Sequence, residues 1–540
     1  MKSERSVQPA KQRIRPTSVA PRSLGNLVAE FGLSVPGAAG ADWESGQVSG
    51  IASDNRAVVP GEIFAALPGA HAHGAQFAGD AVERGAAAVL TDDEGAAYLA
   101  ANGHPAHIPV LVSPTLRASL GPIASWVYGE PHRRLVTFAV TGTNGKTTTA
   151  YLVNQLLTSL GSKSGLIGTI EMRSGDHVLP SSLTTPDSAD LHALLATMAE
   201  DEVKTLIMEV SSHAISLHRV DGVQYSVAGF TNLSQDHLDF HKTMEEYFAA
   251  KAQLFTPGHA QRGVILVDDK WGRELAAVAS IPVTTIKTPF GDNPGPADWV
   301  VSDVRHFGSG SAFTLTSSSG EVIETHTPLP GSFNVQNAAL ALIMVLASGV
   351  SVADLKVALA VNDGVAAVVP GRMEVITNGD AATPRVIVDF AHNTEALREA
   401  LASLGGNTTG RLIVLFGAAG ERDQDKRPKM GAAAVEGADV VYLTDDDPHE
   451  EDPAHIREAV RLGAEAAVAE QLAQGRSVQI VEIADRAEAI RHAILQAQPG
   501  DTVLLAGRGH ETTQPIGHED IPLDDRIEAR QALALRETSS

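Results

Sequence analysis

The sequence predicts a three-domain α/β protein. Three observations carry that reading. A chain of 540 residues exceeds what one hydrophobic core organises. Short apolar runs recur with Gly, Pro and Asp between them, the spacing of strands that alternate with helices. A Pro-Gly break at Val369-Pro370-Gly371 separates a last block from the rest.

Taken in order, residues 1–23 are basic and rich in Ser and Pro, without an apolar core, which argues against a secretory signal. Their composition is also that of a transit peptide, but a disordered tail is the simpler reading. Residues 24–134 carry the runs AAAVL and IPVLV between turn residues, as a small α/β domain would. The block 135–369 opens with LVTFAV and repeats the pattern in TLIMEV, YSVAGF and GVILV, the signature of a mostly parallel sheet. Between Trp299 and Pro330 alternation with turn residues predicts an inserted hairpin, and NVQNAALALIMVLASG predicts a helix ending at Gly. In 370–540, RVIVDF, LIVLFG, VVYLT, VQIVEI and TVLLAG alternate with helical stretches, as in a Rossmann-like α/β domain.

Composition narrows the function. Net charge is −24, from 65 acids against 41 bases, which opposes a general nucleic-acid surface. Cysteine is absent, so thiolate nucleophiles, disulfides and cysteine-ligated metals are excluded. No apolar run reaches the roughly 18 residues of a membrane span.

The chemistry begins at VTGTNGKTTTA, directly after LVTFAV. A strict phosphate loop would have Gly where Val140 stands, so this is a shorter variant, Gly142-Thr143-Asn144-Gly145-Lys146-Thr147-Thr148. Glycines let backbone N–H groups turn onto phosphates, Lys146 reaches the β and γ oxygens, and Thr147 offers a magnesium ligand. A helix starting there aims its positive end at the same anion, so a P-loop-type ATPase domain is expected. Downstream strands also end in charge: TLIMEV with Glu209, YSVAGF with Asn232, Asp236 and His237. Ligands of open α/β sheets sit beyond the carboxyl ends of strands, so Glu209 and His237 are candidates to complete a magnesium site with Thr147.

These motifs, together with LTTP, MEVSSHA, TNLSQDHLDFH, GSFNVQN, GRME, VDFAHN, GERDQDKRP and GRGHE, follow the order seen in the Mur ligases. The chain most resembles the MurE-type members, which add the third peptide residue to UDP-N-acetylmuramoyl-L-alanyl-D-glutamate in peptidoglycan synthesis. The likeness covers Leu24 to Arg530. It implies that ATP phosphorylates the D-glutamyl carboxylate and that an amine attacks the acyl phosphate. It further implies Gly142 to Thr148 as the ATP site, with Asn334 near the adenine. Thr184, Thr185, Ser211 and Arg219 would hold the muramoyl-dipeptide, while Ser53 and Asn55 of SDNRAVVPGEIF would hold the uridine. Catalysis would rest on Lys146, Glu209, His237 and Lys251. Carbon dioxide would convert Lys251 to a carbamate ligating a metal with Thr147, Glu209 and His237; read from the residue alone, Lys251 is a snorkelling surface lysine.

In the third domain, Arg422, Asp446, Asp447, His449, Gly507 and Glu511 follow strands and are expected in one crevice for the incoming amino acid. Diaminopimelate-adding members carry Asp-Asn-Pro-Arg there, whereas this chain has Asp446-Asp447-Pro448-His449. Loss of that guanidinium and gain of acid favour lysine, ornithine or a shorter diamino acid over meso-diaminopimelate. Other departures are Asn55, Leu217, Phe390 and Arg508, where the family usually has Ser, Gln, Tyr and Lys. Two rival readings are a folylpolyglutamate-type ligase and a catalytically silent nucleotide-binding paralogue. The expected partners are the UDP-linked dipeptide and a free diamino acid, bound by a cytoplasmic monomer.

Overall fold

A parallel strand covered on both faces needs apolar residues at successive positions, and LVTFAV supplies them. In the computed structural model Val136–Thr141 is a strand buried from Thr137 onward. The structure describes residues 14–37, 42–69, 72–105, 107–175, 177–180, 184–292, 294–307, 310–380, 382–421 and 423–539.

Among them the central sheet has eleven strands. From edge to edge these are His177–Pro180, Glu171–Ser174, Ser164–Ile167, Thr205–Glu209, Val136–Thr141, Val227–Phe230, Gly263–Leu266, Val283–Lys287, Trp299–Phe307, Gly310–Ser317 and Val322–Thr327. The interior is parallel and both edges are antiparallel. After Val136–Thr141 the chain fills one side of the sheet, then crosses to Val227–Phe230 on the other. Val136–Thr141 is therefore where strand order reverses, which places a crevice at its carboxyl end. Helices Lys146–Ser159 and Ser332–Ala347 cover one face, and Ser188–Glu200 and Met244–Ala252 the other. The hairpin expected after Trp299 is a three-stranded meander, because Val322–Thr327 also pairs with Gly310–Ser317.

The first domain has four parallel strands, Gly50–Ala52, Glu62–Ala65, Ala88–Thr91 and Val110–Val112. The third has the five expected strands in the order Arg385–Asp389, Thr502–Ala506, Leu412–Phe416, Val440–Leu443 and Gln479–Glu482, with Glu374–Thr377 antiparallel at one edge. A separate hairpin, Thr513–Ile516 with Glu519–Pro522, follows.

Of the expected tail, residues 14–23 are described and make contacts. Residues 1–13 lie outside the described set, but Ile14 packs on the central core and Arg15 binds the Ala57 carbonyl and Glu62. The amides of Thr17 and Ser18 each donate at 2.7 Å to the Glu200 carboxylate. That segment ties the first domain to the second, contacts too distant in sequence for composition to reveal. Among the described residues no helix is long and apolar enough to cross a membrane.

Candidate active site

The loop after Val136–Thr141 is shaped by two glycines in backbone regions that favour glycine, Gly142 (φ 149°) and Gly145 (φ 86°). Side chains there would also collide: a Cβ on Gly142 would lie 1.8 Å from Thr231 Oγ1, and one on Gly145 2.3 Å from Asn337 Oδ1. The amides of Thr143 and Asn144 donate to the Asn232 carbonyl (2.9 Å) and its Oδ1 (3.0 Å), so loop and neighbouring strand end form one unit. Lys146 folds over the loop and donates to the carbonyls of Gly142 (3.0 Å) and Thr143 (2.9 Å). Burial lowers its affinity for its proton, opposed by Glu209 and Asp236.

Glu209 closes the adjacent strand and is 1% exposed. Its carboxylate accepts from Thr147 Oγ1 (2.8 Å), from the Thr169 amide (2.8 Å) and from Thr169 Oγ1 (3.1 Å). A buried carboxylate facing a threonine hydroxyl is an oxygen donor pair suited to a hard cation, so Thr147 and Glu209 fit magnesium. Thr185 donates to the Glu209 carbonyl (3.0 Å), and Ser211 donates its amide to Thr185 Oγ1 and caps the helix Ser212–Ser216. Thr184 lies 3.1 Å from Thr169, and Arg219 pairs with Asp187 while donating to the Thr185 carbonyl. The four residues expected at the muramoyl-dipeptide therefore gather around Glu209.

Lys251 overturns the snorkelling reading. It ends the helix Met244–Ala252, is 1% exposed, and donates to the Gly142 carbonyl (2.8 Å) and Thr141 Oγ1 (3.5 Å). Its amine stands 4.6 Å over the Tyr247 ring. Burial, then Lys146, hold its pKa well below the ordinary lysine value. His237, in a left-handed conformation, packs edge-on to His213 with centroids 4.9 Å apart. Burial, against the pull of Asp236, lowers its pKa to about 3. Asn334 reaches the site indirectly. Its amide donates to the Pro330 carbonyl and its Oδ1 accepts from Asn337, whose own Oδ1 faces Gly145. Ser53 and Asn55 stay beyond the first sheet, where Asn55 bonds Asp80, and do not join this cluster.

The third domain closes over the loop. Asn393 donates to Asn144 Oδ1 (3.2 Å) and Asp236 Oδ2 (3.5 Å), and His392 stands 3.9 Å from Asp236. Arg372 lies over the Phe390 ring at 4.1 Å and donates toward His510 (3.3 Å). Asn393, Arg372, His392 and His510 were not assigned from the sequence. Their signal was available, since GRME, VDFAHN and GRGHE all set polar residues at strand or domain junctions.

Arg422 lies outside the described residues. The rest of its expected group converges: ligand atoms of Asp446, Asp447 and Glu511 lie within 4.8 Å of one another, the one such His or carboxylate trio among the described residues. Gly507 abuts Asp446, and His449 is bridged to Ile516. Burial and then the Asp447 and Asp446 charges push Glu511 up to about 8 from its ordinary 4.5. A raised folded-state pKa stabilises fully below pH 4.5 and is lost as pH rises through about 8. The melting temperature should therefore fall across that interval. Glu511→Gln, which cannot ionise, should flatten the fall and be the more stable form near pH 8. Parallel melting curves for the two proteins would refute this.

Comparison with known proteins matches that geometry. Three family models align: Mur ligase family, catalytic domain (residues 47–124), Mur ligase middle domain (140–345) and Mur ligase, glutamate ligase domain (371–509). The chain is 44% identical over 529 residues to a UDP-N-acetylmuramyl-tripeptide synthetase of Leifsonia xyli subsp. xyli, covering 98% of this chain and 99% of the relative. It is 43% identical over 521 residues to a UDP-N-acetylmuramoyl-L-alanyl-D-glutamate–2,6-diaminopimelate ligase of Streptomyces coelicolor, covering 96% and 98%. A solved structure of a ligase of the latter name superposes with TM-score 0.64 at 30% identity, over 96% of this chain and 100% of that one. With its three domains matched in order and its relatives tripeptide synthetases over nearly their whole length, the chain belongs to the Mur ligase family, as an ATP-dependent ligase of the MurE type.

Proposed function

We propose that the chain joins a diamino acid to the D-glutamyl carboxylate of UDP-N-acetylmuramoyl-L-alanyl-D-glutamate, and that the acceptor carries no second carboxylate. The observation that carries the ligase half is the closure of Asn393 onto Asn144 and Asp236, which brings the third domain's crevice against the phosphate loop. Two anions have to meet there, so charge neutralisation and exclusion of water dominate the chemistry.

A carboxylate oxygen attacks the γ-phosphorus of ATP, the bond to ADP breaks, and an acyl phosphate forms. The acceptor's neutral amine then adds to the carbonyl carbon, loses its proton, and expels phosphate. Lys146 draws charge off the transferring group, while Thr184, Thr185, Ser211 and Arg219 orient the dipeptide. Magnesium, held by Thr147 and Glu209, would supply further neutralisation of the phosphates. Lys251 is suited to carbamylation because burial lowers its amine's affinity for a proton: the deprotonated nitrogen bonds to carbon dioxide, one proton leaves, and an N-carboxylate results. That anion and His237 would join Thr147 and Glu209 as metal ligands. Ser53 and Asn55 would bind the uridine from the first domain, and Asn334 would support the adenine end of the ATP site. The candidate substrate residues are spread over all three domains of one chain, and we read the protein as a monomer. ATP and a UDP-linked substrate assign the reaction to the cytoplasm.

For the acceptor, the carrying observation is a charge imbalance. Among the described residues Arg508 is the guanidinium within 4 Å of Asp446, Asp447 and Glu511, while Arg427 and Arg486 are paired with Glu451 and Asp525. Such a crevice fits the ammonium of lysine, ornithine or a shorter diamino acid. The rival acceptor, meso-diaminopimelate, is favoured by the names of relatives such as the Streptomyces coelicolor ligase.

Phosphate release with the UDP-linked dipeptide and each of diaminopimelate, lysine, ornithine and diaminobutyrate, with product masses, tests both halves. Preference for an acceptor without a second carboxylate, by about tenfold or more in kcat/KM, is expected. Turnover with diaminopimelate alone overturns the acceptor reading. ATP binding without any product favours the silent paralogue.

A further inference from the structure

Resting on the acceptor reading above, we propose that Arg508 is a positioning residue that determines specificity: it clamps the Asp446–His449 turn to the Gly507–Glu511 turn and cancels one of their three carboxylates, leaving a crevice that selects a distal ammonium.

The clamp follows from the backbone. Arg508 lies between two left-handed glycines, Gly507 (φ 112°) and Gly509 (φ 55°). A Cβ on Gly507 would lie 2.5 Å from Asp446 Oδ2, and one on Gly509 2.6 Å from the Gly371 carbonyl. The Gly507–Glu511 turn thus approaches Asp446 on one side and Gly371 on the other within a distance no side chain allows, and Arg508 between the two glycines is wholly buried. Its Nη1 bonds the Asp447 carboxylate and stands 3.8 Å from both Asp446 Oδ1 and Glu511 Oε2. Its Nη2 donates to the Thr513 carbonyl.

The hairpin that begins at Thr513 brackets the same turn. The Gln514 amide donates to the Asp446 carbonyl, the His449 N–H donates to the Pro515 carbonyl (3.2 Å), and the Gly517 N–H donates to the His449 carbonyl (2.7 Å). His449 is held left-handed (φ 52°) by that bracket. Arg508 therefore joins three segments at once, which the planar fork of a guanidinium can do and a single ammonium cannot.

The charge argument is independent of the clamp. Arg486 is paired with Asp525 at 2.6 Å, both side chains wholly buried, and donates to the Ala506 carbonyl, so it acts on Asp446 and Asp447 only at longer range. Of the three clustered carboxyls Arg508 bonds only that of Asp447, so Asp446 and Glu511 are left for a cation to meet, and an ammonium there would draw Glu511 back toward its ionised form. An acceptor's second carboxylate would meet those acids unfavourably, since the Arg508 guanidinium is committed to Asp447.

The test uses the full-length protein with Arg508→Lys and Asp447→Asn. Arg508→Lys keeps the charge but not the fork, and should raise the KM for the preferred diamino acid about tenfold with kcat and the KM for ATP little changed. Asp447→Asn releases the guanidinium, and should shift the kcat/KM ratio of diaminopimelate to the preferred acceptor about tenfold toward diaminopimelate. If neither the acceptor KM nor the ratio moves, Arg508 has no role in selection. Equal losses in kcat, ATP KM and every acceptor would mark it as merely structural and overturn the proposal. A wild type that prefers diaminopimelate would instead overturn the acceptor reading and the charge selection with it.

Discussion

Lys146→Ala should lower kcat by about 10³-fold while the protein still folds. Lys146 is the loop's own cation, held over it by the Gly142 and Thr143 carbonyls, beside the Thr147–Glu209 pair. Neutral carbonyls hold the side chain in place, and burial penalises its charge, so truncation removes a desolvated ammonium at little cost in stability. The loss should therefore appear in product formation under saturating substrates, with the melting temperature preserved. A variant that keeps more than about a tenth of wild-type kcat would show that Lys146 does not stabilise the transferring phosphoryl group.

The second large effect concerns Lys251. Lys251→Met keeps the length and apolar character of the stem and deletes the nitrogen. Turnover should fall by at least about 10²-fold, and stability should hold or rise, because a buried amine bonded to neutral groups is replaced by a thioether. Depleting carbon dioxide should slow the wild type, and bicarbonate should restore it. A wild type indifferent to carbon dioxide would sink the carbamate, even if the methionine variant were inactive. Retained activity in Lys251→Met would remove Lys251 from the machinery altogether.

Much of this was legible in local sequence. Runs such as LVTFAV and TVLLAG can be buried on both faces only as central parallel strands, and the polar residues after them fall at the strand ends by simple continuation. The glycines of the phosphate loop announced their own backbone, since positions 142 and 145 need conformations and clearances that other residues lack. Strands with mixed composition were harder. Ser164–Ile167 and Val283–Lys287 carry weaker patterns, and the pairing partners of Val322–Thr327 turned an expected hairpin into a meander.

The sequence alone determined the fold class, the phosphate loop, the order of the motifs and the departures at Asp447, His449 and Arg508, because each is written in neighbouring residues. Tertiary structure alone decided where long side chains went. Lys251 reads as a surface lysine on its helix, yet packing against Tyr247 and the strand end buries it. Arg508 reads in the sequence only as a departure from the family's Lys, yet in the fold its guanidinium is committed to the chain's own carboxylate. Asn393 meets Asn144 across 249 positions. Burial, charge pairing and domain closure are sums over residues far apart in the chain, and they become definite only when the three cores are packed together.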